Sequence, residues 1–107
     1  CGVSDLTRWV ETNAQYAEYV VGFLGGMPAA RPEAARDSSP ITHVHAGAPP
    51  CLAFHGGIDP VVHPGQSLAF AEALRRLGVD ARALIVRVRT EGLDLELESM
   101  ERFRAAP

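Results

Sequence analysis

Four histidines, His43, His45, His55 and His63, fall within 21 residues, and Asp59 lies among them. Neutral imidazoles with a carboxylate suit Zn²⁺, with manganese as the second choice. A metal held this way lowers the pKa of its bound water to about 7 and supplies hydroxide without a protein nucleophile. The pattern therefore predicts a minimal metal-dependent hydrolase for ester or phosphate-ester bonds. His55, Asp59 and His63 are the primary ligand candidates, with His43 and His45 as alternatives. Asp59 and His63 are also the catalytic candidates. No H-E-x-x-H and no paired C-x-x-C accompanies them.

The elements that must position these residues can be read around them. Pro49-Pro50 leads into Cys51-Leu52-Ala53-Phe54-His55, a short continuous apolar run. Such a run predicts a parallel strand buried on both faces. Gly56-Gly57 break it, and Asp59-Pro60 is a turn signal. Pro64 to Leu77 is a predicted helix, with Leu68, Ala71, Leu74 and Leu77 on one side and Gly78 as its cap. Ala83-Leu84-Ile85-Val86 with Val88 make a second strand, so the whole is a right-handed βαβ unit. His55, Asp59 and His63 then face the cleft at the strand's C-terminal edge, where α/β sites lie. Five strand residues span about 17 Å at ~3.3 Å each. His43 and His45, which precede the strand, are therefore expected at its opposite end. They read as a strand-like pair with both rings on one face.

Elsewhere, residues 4 to 24 show helical periodicity, from Leu6 and Trp9 to Val20 and Leu24, ended by Gly25-Gly26. Residues 28 to 40 are loop with a short helix around Glu33–Arg36. The tail is ambiguous: Leu93, Leu95 and Leu97 alternate as in a strand. Leu93, Leu97, Met100 and Phe103 also form a helical stripe, and a helix over 93 to 104 is the preferred reading. The acidic run from Glu91 to Glu101 is then its solvated face. Trp9, Tyr16 and Tyr19 read as packing residues, and the glycine pairs as turns.

The chain has 107 residues, enough for a single small domain over 1–107. Its net charge of −3 speaks against a nucleic-acid binder. No apolar run approaches the ~20 residues of a membrane span. Cys1 and Cys51 make no disulfide framework and read as reduced thiols of a cytoplasmic protein. The chain begins at Cys1 rather than Met, so a preceding segment is expected to be missing.

Several spaced elements resemble one family. They are Ser39-Pro40-Ile41-Thr42-His43-Val44, Pro49-Pro50, Leu52 through Val62 with its His55-Gly56-Gly57-Ile58-Asp59-Pro60 core, Gln66-Ser67, and Ala73 to Val79. In this order they resemble the C-terminal part of α/β-hydrolase-fold serine hydrolases of the esterase and prolyl-oligopeptidase-like groups. Gly2-Val3-Ser4-Asp5-Leu6 looks like the stretch after that family's nucleophile strand. The resemblance implies that Asp59 is the triad acid and that His43 and His55 are structural. Two departures stand against carrying the reaction over. There is no G-x-S-x-G elbow, and no histidine follows His63.

The expected fold is thus α/β: a truncated α/β-hydrolase-like piece of two or three strands and about three helices. Such a piece leaves Val61, Val62, Leu84, Val86 and an open edge near water, so a homodimer is expected. The alternative to the metal hydrolase is a non-catalytic serine-hydrolase fragment, or a subunit donating Asp59 to a partner chain. A third reading is an interaction module using the sheet edge.

Overall fold

The computed structural model describes residues 2–88 and 95–97. Among them are helices α1 (Ala14–Leu24), α2 (Pro32–Ser38) and α3 (Gly65–Arg76), and strands β1 (Cys51–Gly56), β2 (Ala81–Val88) and β3 (Leu95–Leu97). The sheet order is β1-β2-β3. β1 and β2 run parallel, from Cys51 opposite Ala81 to Gly56 opposite Val86. The expected strand–helix–strand unit is therefore present, and the α/β class holds. Among the described residues no helix is long and apolar enough to cross a membrane.

α3 forms because small and apolar residues recur at helical spacing. Ala71 and Leu74 face the sheet and meet Val79, Ala81 and Ala83 in one buried cluster. Gly78 ends the helix in the left-handed region, at φ 85°. There Val79 N–H donates to Leu74 O at 3.1 Å, which satisfies a carbonyl the helix leaves unpaired.

A second apolar cluster lies beside the first. Tyr16, Val20 and Leu24 from α1 meet Val10 and Ala35, with Val3, Leu6 and Val61 packed around them. α1 starts at Ala14, not at residue 4. Asn13 caps it, its side-chain oxygen accepting from Tyr16 N–H at 2.9 Å. The upstream residues are diverted from helix by two local facts. Asp5 spends its carboxylate on Thr7, accepting from both N–H and Oγ–H. Trp9 takes φ 60°, which no right-handed helix admits.

The two clusters are joined by a polar seam centred on Gln66, which has no exposed surface. Its Oε1 accepts from Ser4 N–H at 3.0 Å and Asp5 N–H at 2.8 Å. Its Nε2 donates to Asp5 O at 2.8 Å and Tyr16 Oη at 3.1 Å. Ser4 Oγ donates to Gln66 O at 2.6 Å. Burial first, and the nearby Asp5 charge second, raise the Tyr16 hydroxyl above its ordinary pKa. Ser39, equally buried, ties α2 in, donating to Ala35 O and accepting from Leu6 N–H.

Three expectations need correction. β1 is covered on one face only: Leu52 and Phe54 are 54% and 56% exposed, because α3 packs on the side that Cys51, Ala53 and His55 face. Leu84, expected near water, is buried in the central strand, while Val61, Val62 and Val86 are half-buried. In the tail, Leu95–Leu97 is a strand paired antiparallel with Val86–Val88, so alternation prevails over the helical stripe there. The rest of the helix expected over 93 to 104 lies outside the described residues.

Gln66→Ala leaves the Ser4 and Asp5 N–H groups without their acceptor and takes from the Tyr16 hydroxyl one of its two partners. It should cost roughly 3 kcal/mol of folding free energy, read by urea unfolding.

Candidate active-site loop

The loop after β1 is built by Asp59. Its Oδ1 accepts from Val61 N–H and Val62 N–H, both at 2.9 Å. Asp59 N–H in turn donates to Gly56 O at 3.3 Å, and Gly57 N–H to Val86 O at 2.8 Å, so the loop springs directly from the sheet. The Val62 N–H bond, then the Val61 N–H bond, hold the carboxyl below its ordinary pKa against the smaller effect of burial.

His55, at the end of β1, is 2% exposed. Its Nε2 lies 2.8 Å from Val62 O, an atom that only accepts, so Nε2 carries a proton. Its Nδ1 then accepts from Ser67 Oγ–H at 2.7 Å. Nε2 also lies 3.6 Å from Asp59 Oδ2. The imidazole thus spans from α3 to the far end of the Asp59 loop.

His63 is exposed but engaged. Its Nδ1 accepts from Gly65 N–H at 2.9 Å. Its ring stacks on Trp9, with centroids 4.8 Å apart and planes 7° from parallel. His43 closes a short 3-10 turn over Pro40–His43, and its Nε2 donates to Asp37 O at 2.7 Å. His45 is exposed in the loop before β1. His43 and His45 line a hollow with Pro49, Pro50 and Cys51, at the start of β1. They are therefore at the opposite end from His55, as the strand length predicts, but they are not a strand pair.

The five expected metal ligands do not converge. Among the described residues no three His, Cys, Asp or Glu side chains form a group able to hold a metal ion. The physical reason is where the lone pairs go. In His55 and His63 the unprotonated nitrogen accepts a hydrogen bond from the protein, and His43 and His45 sit a strand's length away. His55 and Asp59 are neighbours, but both serve the loop.

A profile of the BD-FAE family matches residues 1–74, more than half of the chain. The chain belongs to the BD-FAE family, an α/β-hydrolase-like esterase domain. Over 78 residues it is 36% identical to Esterase LipQ of Mycobacterium tuberculosis, a match covering 72% of this chain and 18% of LipQ. The chain thus spans less than a fifth of that relative's length. Membership in this family overturns the metal-dependent hydrolase expected from the histidine cluster. The alternative, a serine-hydrolase fragment, agrees better with the family and with the dispersed histidines.

Sequence reasoning took Gln66-Ser67 only as part of the resemblance and Trp9 as packing, without their bonds to the first segment, His55 and His63. Gln66 and Ser67 sit in the first turn of a helix, where polar residues ordinarily meet water. A polar pair there, between Gly65 and the apolar Leu68, was the available signal.

Asp59→Ala should cost ~1–2 kcal/mol near neutral pH by orphaning two N–H groups. Because the folded carboxyl has the lower pKa, its contribution is complete above the ordinary carboxylate value. It declines as pH falls through the folded value. The stability gap between wild type and D59A should therefore narrow below about pH 4, as read by urea unfolding across pH.

Proposed function

We propose that this chain contributes the acid of a serine-esterase site, with Asp59 in that role, and that its 107 residues do not turn over ester alone. The observation that carries this reading is the Asp59 loop. One carboxylate oxygen is fully employed by Val61 and Val62 N–H, and the other, Oδ2, stays outside that turn with His55 Nε2 at 3.6 Å, beyond hydrogen-bond distance. An acid of a triad needs this arrangement: one oxygen fixed by the protein, the other available to an imidazole N–H. His55 does not fill the role of the general base, since its accepting nitrogen is taken by Ser67 and it is buried.

The nucleophile and base belong to polypeptide outside these residues, since no G-x-S-x-G occurs and no histidine follows His63. The bare side of β1 supports this. Among the described residues it is an edge strand, and its Leu52 and Phe54 are more than half exposed. An edge strand accepts a further strand through its backbone, and an exposed apolar face accepts a covering layer. The name of the relative, Esterase LipQ, supports an ester as the substrate class.

A chimaera tests the assignment. The segment matched to LipQ is transplanted into that esterase in place of its own, leaving LipQ's remaining chain intact. The chimaera should hydrolyse a p-nitrophenyl ester, and Asp59→Asn should lower kcat by roughly 10²–10⁴-fold. A chimaera that is active yet indifferent to D59N defeats the assignment. So does ester turnover by the isolated chain.

A further inference from the structure

We infer that Trp9 is a positioning residue for Asp59, latching the loop 59–64 through its stack on His63. This inference rests on Asp59 being the functional acid.

Among the described residues Trp9 is the single non-glycine with positive φ. Bulky side chains are rarely held there, and such outliers persist only where surroundings impose them. Its surroundings are specific. The indole lies against the Cα of Gly65, at the start of α3. A Cβ on Gly65 would overlap Trp9 Cζ2 and sit 2.7 Å from Cη2, so only glycine admits the ring. His63 stacks on the indole, and the Arg8 guanidinium carbon stands 4.3 Å from a Trp9 ring centroid. Yet Trp9 is half-exposed and belongs to neither buried cluster. A strained aromatic that adds little to the core is doing something else, and what it holds is His63.

His63 is four residues beyond Asp59. Between them lie the Val61 and Val62 amides that grip Oδ1. The same stretch is pinned twice more from the Trp9 side. Asn13 Nδ2 donates to Pro60 O, and Val61 packs against the Val10–Tyr16 cluster. On the sheet side, His55 holds Val62 O. The loop is therefore clamped between β1 and the segment 9–16. Trp9 closes the clamp at the His63 side chain, while Gln66 N–H holds the His63 carbonyl at 3.0 Å.

The test is a ¹³C-carboxyl NMR titration of Asp59 in the 107-residue chain, in wild type, Trp9→Ala, Trp9→Phe and His63→Ala. Loosening the loop weakens the two N–H bonds, so the Asp59 midpoint should rise by about half a pH unit or more in W9A and H63A. W9F, which keeps a ring to stack, should restore the wild-type midpoint. Far-UV circular dichroism certifies folding, and if W9A fails to fold, H63A against wild type decides. An unmoved midpoint in the folded variants overturns the latch. That result would leave the esterase assignment standing, since the chimaera tests it independently.

Discussion

The Gln66 side-chain amide is the joint on which this small fold depends. An amide buried without partners costs several kcal/mol in an apolar setting, so it persists only where every polar atom is answered. Here the answers come from the backbone of Ser4, Asp5 and Arg8 and from the hydroxyl of Tyr16. Those partners belong to the first segment and α1, while Gln66 belongs to α3. One side chain therefore fixes the helical layer against the βαβ unit. The loop bearing Asp59 lies at that junction, with β1 before it and α3 after it.

The loop itself shows how local chemistry fixes a carboxylate in place. Asp59 folds its own turn by accepting from the amides two and three residues ahead, which also favours its charged form. His55 holds the frame. Its two ring nitrogens connect Ser67 on α3 with Val62 at the loop's far side. A buried histidine so used is a rigid strut, and its chemistry is spent on geometry.

The βαβ unit was legible in the sequence because its signals are local. A continuous apolar run, a proline at a helix start and a glycine at its end each act within a few residues. The start of α1 was not legible, because apolar spacing continues unbroken through Leu6, Trp9 and Val10. What interrupts the helix is a carboxylate turning back on Thr7 and a tryptophan in the left-handed region. The histidines misled for a related reason. Closeness along the chain says nothing about where a lone pair points, and Ser67, Val62, Gly65 and Asp37 are the atoms that decide it. The solvent-facing side of β1 was equally hidden. Whether Leu52 and Phe54 are covered depends on layers other than α3, which pattern alone does not count.

The two apolar clusters meet across a polar seam rather than merging into one core. In evolutionary terms that seam is a line of division. Apolar substitutions in α1 and α2 repack against their own neighbours, and the cluster between α3 and the sheet does not feel them as lost volume; Val61 is the point at which they reach the Asp59 loop. So long as Ser4, Gln66 and Ser39 keep their bonds, the helical segment can drift in length and shape. A lineage can therefore vary the helical wall while the sheet and α3 stay as they are.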